Sequence, residues 1–175
     1  MSRTTESYRP EVFKLLAKIG EVVGTPVGLF RYHMSGKYEQ LTPETDLSVF
    51  APIANGASAG YSYFVIASKK QDSLDNITNF ITAFNINSFP GCCAFCVSHS
   101  ASVRANYRRK GVNTLAVQLR AAIAGLTGYT GLVCTDITSS IYSLRCLERA
   151  GFKVIHEAVN KRTRNTVKVY VKELE

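Results

Sequence analysis

The chain has 175 residues and a mass of 19.3 kDa; 46% of its residues are apolar and 19% charged, with mean hydropathy near zero. That is enough for one domain with a sizeable core and too apolar for a disordered chain. The net charge of +8 is uneven: residues 1–98 balance eight Lys/Arg with eight Asp/Glu, whereas residues 99–175 hold thirteen and five. A basic half calls for an anionic partner (nucleic acid, an acidic protein or a phosphate-bearing cofactor) or is a solvated face. The long uncharged runs, 47–68 and 76–103, are broken by Pro, Gly, Asn and Ser and offer no membrane span. The opening MSRTTESYRPEVFKLL lacks the apolar stretch of a signal peptide, so a cytoplasmic setting is expected.

In chain order, Glu11–Val23 places Val12, Leu15, Leu16, Ile19 and Val22 at helical spacing and stops at Gly24-Thr-Pro26. Pro26–His33 and Tyr61–Ser68 are strand-like, with turn chemistry at Ser35–Lys37 and Asn55–Gly60. Leu74–Phe84 fits helical spacing or alternation, and its Asn and Thr content tips it towards strand. Ala94–Val103 reads as a strand, Val112–Ala124 as a helix with Leu115, Leu119, Ala122 and Ile123 on one stripe, and Gly131–Ile137 as a short buried strand. Ser140–Ala150 is a helix stopped by Gly151. Lys153–Val159 and Thr166–Leu174 are strands around a turn at Lys161–Asn165; in the second, Val167, Val169 and Val171 alternate with Lys168, Tyr170 and Lys172. No linker or repeat divides residues 1–175, so the expectation is a single α/β (α+β) domain around one mixed sheet.

Five cysteines (Cys92, Cys93, Cys96, Cys134, Cys146) form no disulfide framework. Cys93-Ala-Phe-Cys96 has CxxC spacing, which suits zinc or redox chemistry. A structural zinc wants a second close ligand pair, and His33, His99 and His156 are scattered. The same run reads as a buried strand in which reduced cysteine packs as a small hydrophobe, so no metal is expected.

The stretch that carries chemistry runs from Val103 to Thr114. A strand ends, and Arg108, Arg109, Lys110 and Gly111 lead straight into a helix. The first turn of a helix has unpaired N–H groups and the positive end of the dipole, Gly111 permits close approach, and three cations add charge. The pattern suits a pyrophosphate.

Arg108-Arg-Lys-Gly111-Val-Asn113 resembles the R/Q-x-x-G-x-G/A acyl-CoA loop of the GNAT (Gcn5-related N-acetyltransferase) superfamily. Ser140-Ile-Tyr-Ser-Leu-Arg-Cys-Leu-Glu-Arg-Ala-Gly-Phe152 resembles that family's N-x-x-A-x-x-L-Y-E-K-x-G-F helix. The resemblance covers residues 94–157; residues 1–93 match none of its motifs. It implies a mostly antiparallel sheet flanked by helices, with acyl-CoA held where two strands splay apart. Arg108, Arg109, Lys110, Gly111, Val112, Asn113 and Thr114 would take the pyrophosphate, Ala101 to Val103 would pair with the pantetheine arm, and Ser140 and Ser143 would line its far side. Acetyl transfer from acetyl-CoA to a primary amine of a protein or peptide follows, since 47–68 and 76–103 offer a polyamine no acidic lining.

Asn113 replaces the family's Gly or Ala, Ser140 its Asn, Leu147 its proton-donating Tyr, and Val97 the Glu of many members. His99, on the same strand face as Val97, is a candidate base, and Tyr142 a candidate acid. The losses leave open a degenerate GNAT-fold module that docks an anionic partner. The basic residues of 161–172 suit an acidic protein, a nucleic acid or solvent. Thr166–Leu174, read as an edge strand, suggests a homodimer.

Overall fold

The computed structural model describes residues 5–33, 38–45, 60–67, 79–89, 92–137 and 140–174. Helix α1, Arg9–Val23, carries Pro10 in its first turn, where the missing N–H costs nothing. It buries Val12, Leu15, Leu16 and Ile19 on one stripe and ends at Gly24, whose φ of 77° lets its N–H bond back to Gly20.

The strands are β1 (Val27–His33), β2 (Tyr38–Leu41), β3 (Gly60–Ala67), β4 (Thr82–Phe89), β5 (Cys92–Val103), β6 (Gly131–Ile137), β7 (Lys153–Val159) and β8 (Thr166–Glu173). They form one sheet in the order β2-β1-β3-β4-β5-β6-β8-β7. Neighbours are antiparallel apart from β5 and β6, which run parallel because α2 (Val112–Leu126) carries the chain back between them. Helix α3 (Ile141–Arg149) leads from β6 to β7.

Register pairs Leu29 with Val65, Tyr63 with Phe84, Cys96 with Leu132 and Cys134 with Tyr170, so these residues share one face. All are buried and join Val12, Leu16, Ile19, Leu119, Ile123 and Leu147 of the three helices in one core. Each such side chain, fully buried, contributes about 1.5–3 kcal/mol. Helix α2 is covered almost all round. Its Gly125 lies beneath the ring of Tyr8, where a Cβ would fall 2.6 Å from the ring carbons. Tyr8 closes the 3-10 turn Thr5–Tyr8 before α1, and its buried ring seats α1 against α2.

One expectation needs correction. Thr166–Leu174 is no edge: β8 lies between β6 and β7, and β7 is the outer strand. The edge reading failed because β7 and β8 form a hairpin whose second strand turns inward to pair with β6 over Val167–Glu173. Within β8 the alternation holds, but Tyr170 is the residue with no exposure and the three valines are half-buried on the opposite face. Lys168 and Lys172 share the helix-covered side with Tyr170. Lys172 runs its stem past the Phe152 ring and donates its ammonium to Ala150 O, which lets a charged residue sit on an apolar face.

The ambiguous stretch Leu74–Phe84 proves to be strand from Thr82, continuing to Phe89; residues 74–78 lie outside the described residues, as do the turns at Ser35–Lys37 and 55–59. Sequence patterning did not single out β2, a four-residue strand held by its pairing with β1.

Candidate functional site

Strands β5 and β6 are paired only from Phe95–Ser98 to Gly131–Cys134. Beyond that point β5 stays with β4 as far as Val103, and β6 stays with β8 as far as Ile137. The two therefore part, and His99–Val103 faces Thr135–Ile137 across a gap with no ladder between them. At the apex β5 carries one extra residue: Asn85 pairs with His99 and Ala83 with Ser102, and Ser100 takes a left-handed φ of 53°. This bulge twists the strand just where it leaves its neighbour.

The gap opens on the basic loop. After the short turn Ala105–Tyr107, Arg108 donates its Nε–H to Val103 O at 2.9 Å and fixes the loop to the strand end. Arg109 and Gly111 both have positive φ, 61° and 81°. Gly111 precedes α2 with no side-chain cap, and a Cβ built on it meets nothing within 4 Å. Arg109, Lys110 and Gly111 are exposed, Asn113 and Thr114 half-buried and Val112 buried. The expected phosphate residues thus form one uncapped, positively charged helix start with open space before it.

Helix α3 stands beside that start. Thr114 Oγ1 and Cys146 Sγ are 3.4 Å apart and tie the first turn of α2 to α3. Ser140 precedes α3 without a side-chain cap, and Ser143 is half-buried. Leu147 packs in the core at 2% exposure, so the position of the family's tyrosine offers no hydroxyl, and Tyr142 stands 84% exposed on the outer side of α3.

His99 is held from both sides: Nε2 lies 3.1 Å from Asn87 Oδ1 and Nδ1 3.0 Å from Ser100 Oγ. With Nε2–H donating to the Asn87 carbonyl, Nδ1 accepts from the Ser100 hydroxyl. By register, Val97, His99, Asn85 and Asn87 share the sheet face away from the core.

Sequence reasoning missed the cluster behind the apex. Arg120 of α2 is 6% exposed, and its Nη1 donates to Ser98 Oγ at 3.3 Å. Burial pulls the guanidinium pKa down, against the influence of Cys134, Asp136 and Cys146 around it. Burial also pushes the Cys134 thiol up. A signal was present: the residues three and four positions from Arg120 in both directions are Ala116, Val117, Ile123 and Ala124. A charge surrounded by apolar helical neighbours points inward.

Cys96 of the CxxC run is fully buried, its thiol pKa is raised by burial, and its sulfur lies 3.6 Å from Gly131 O, as a packing residue. The side chains of Cys92 and Cys93 lie outside the described residues. No helix among the described residues is long and apolar enough to cross a membrane.

No family model and no curated protein matches the chain. Solved structures do. A GNAT-family acetyltransferase from Bacillus anthracis aligns at TM-score 0.51 and 14% identity over 64% of this chain and 65% of that one. A spermidine N-acetyltransferase from Vibrio cholerae, in complex with CoA and spermine, aligns at TM-score 0.54 and 12% identity over 69% and 67%. A GNAT-family acetyltransferase from Elizabethkingia anophelis with acetyl-CoA bound gives 0.53 and 15% over 66% and 76%. The aligned part spans just under two thirds of the Bacillus anthracis protein. The likeness is one of fold: the sheet and helices of this chain have the GNAT architecture.

Proposed function

We propose that this GNAT-fold chain is an acyl-CoA-dependent N-acyltransferase that moves an acyl group, acetyl in the simplest case, onto a primary amine. The observation that carries the reading is the parting of the parallel pair β5 and β6 directly before an uncapped, basic helix start. Together these make a slot for an extended chain with an anion site at its mouth.

The loop from Arg108 to Thr114 would hold the pyrophosphate, and the unpaired edge of β5 from Ala101 to Val103 would hydrogen-bond the pantetheine amides in place of a strand. The co-substrate supplies an activated thioester carbonyl. The amine nitrogen bonds to that carbon, the C–S bond breaks, and the amine proton must leave. His99 Nδ1, reached through the Ser100 hydroxyl, would take it. The backbone N–H groups of the bulge would polarise the carbonyl. A thiolate is a tolerable leaving group near neutral pH, so Leu147 in place of a tyrosine does not stop the reaction.

Known neighbours of this fold act on spermidine, but the outer face beside the slot presents Asn85, Asn87 and His99, and no carboxylate stands there among the described residues. A protein or peptide amine suits that neutral surface better than a polycation.

Titration of CoA and acetyl-CoA by calorimetry and thermal shift tests the reading. Ligand at about 100 times Kd should add roughly 2.7 kcal/mol of stability. Gly111→Ala strains the left-handed φ, and Gly111→Glu adds a charge facing the phosphates, so binding should weaken in the first and vanish in the second. Absence of any shift at millimolar CoA would overturn the enzyme reading and favour the docking module, whose loss of the family's Tyr and Glu it would explain.

A further inference from the structure

Among the described residues two arginines are buried, Arg31 and Arg120, and they are partnered differently. Arg31 on β1 is 5% exposed, and although its Nη1 also lacks a hydrogen-bond partner among the described residues, its charge is answered by the Glu39 carboxylate, by the Tyr61 ring 4.5 Å away and by the neighbouring Tyr63. Arg120 is as deeply buried, and among the described residues no carboxylate lies within ion-pair distance of it. Its hydrogen bonding there amounts to the one 3.3 Å contact with Ser98 Oγ, and its Nε has no partner among those residues. Asp136, on the same side of β6, accepts instead from the N–H of Ile137 and stands opposite Lys168 in the β6–β8 register. A buried guanidinium with donors to spare is expensive, and it is the side chain best shaped to hold a carboxylate through two parallel bonds.

Its place in the fold says which carboxylate. Ser98 is the last β5 residue paired with β6, so it marks the closed end of the slot, and Val103 marks the mouth. The five residue steps from one to the other span roughly 16 Å, of the order of an extended pantetheine arm. A thioester threaded from the phosphate loop therefore brings its acyl group to the closed end, where Arg120 meets Ser98.

We infer that Arg120 reads a carboxylate at the far end of the acyl group, so that the favoured donors are dicarboxylic acyl-CoAs such as malonyl- or succinyl-CoA rather than acetyl-CoA. This rests on the acyl-CoA reading above. Ser98 holds the fork in place, and the spare Nε–H and Nη–H groups supply the bidentate contact.

The test is calorimetry of CoA, acetyl-CoA, malonyl-CoA and succinyl-CoA against the full chain and its Arg120→Met and Arg120→Lys variants. The expected result is at least one dicarboxylic acyl-CoA bound about tenfold or more tighter than acetyl-CoA. That ratio should fall towards one in Arg120→Met, be intermediate in Arg120→Lys, and leave the Kd of CoA itself unchanged. Equal affinities in the native chain overturn the inference, as does a preference that survives Arg120→Met. Should Arg120→Met fail to fold, the native ratio and the lysine variant decide. Failure of CoA itself to bind would sink the underlying reading as well, whereas CoA binding without the preference would sink this inference alone.

Discussion

Gly125 sits inside α2 with the Tyr8 ring across its face, so Gly125→Ala should destabilise the protein even though alanine is the better helix former. Two effects oppose each other. Removing a glycine from a helix interior is worth about 0.8–1.0 kcal/mol. Against it, the new methyl would stand 2.6–2.7 Å from three carbons of a ring that is 6% exposed and has little room to turn. Overpacking of this kind costs about 1–3 kcal/mol, and displacing Tyr8 also loosens the seat of α1. The net expectation is a loss of up to about 2 kcal/mol, or up to roughly 8 °C in Tm for a chain of this size. Urea denaturation of four proteins settles it: native, Gly125→Ala, Tyr8→Ala and the double variant. Once the ring is gone the propensity gain alone remains, so Gly125→Ala should stabilise the Tyr8→Ala background. A sign that does not reverse, or a single Gly125→Ala variant more stable than native, would refute the packing argument.

Two further outcomes can be checked in the same apparatus. Burial holds the Cys96 and Cys134 thiols and the Tyr63 and Tyr170 phenols above their usual pKa values, so the folded chain keeps protons that the unfolded chain releases. Their stabilisation is whole below the unfolded pKa values and drains above them, by up to about 1.4 kcal/mol per pH unit per group, thiols from about pH 8.5 and phenols from about pH 10. A urea midpoint flat from neutral to strongly alkaline pH would contradict this. Glu39→Gln should cost about 1–3 kcal/mol, because it removes the carboxylate charge that offsets the buried Arg31 guanidinium and leaves it only neutral partners, the Gln amide, the Tyr61 ring and Tyr63. A paired Arg31→Met/Glu39→Gln variant should recover part of that loss, and a single variant indistinguishable from native would show the pair to be idle.

The sequence was most legible where a local rule and the tertiary structure agree. Gly24 and Gly151 end helices with the positive φ that glycine tolerates, and the stripe of α1 is the stripe that is buried. Gly111, between three cations and the start of α2, takes a positive φ as well. What periodicity does not carry is which face of a strand meets the core. In β8 three valines look like the buried set, yet pairing with Cys134 turns Tyr170 inward, and only the neighbour's register reveals it. Strand order is equally silent, because a hairpin such as β7–β8 can join the sheet through either member. Arg120 is legible only as a charge that its apolar helical neighbours turn inward. The role proposed for it depends on Ser98, 22 residues before it, which no local window joins.

The parting of β5 and β6 also divides the molecule mechanically. The sheet is two panels, β2-β1-β3-β4-β5 and β6-β8-β7, stitched by register pairs at four residues of each strand. So short a seam holds little backbone free energy, and the panels stay together chiefly because α2 packs across both, sending Val117, Leu119 and Ile123 into the shared core. In native-state hydrogen exchange the panels should behave as separate cooperative units, with the amides at the seam opening before either panel unravels. Whatever lies in the slot would act as a stitch between them, and the first effect of its arrival would be on the independence of the two units rather than on the shape of either.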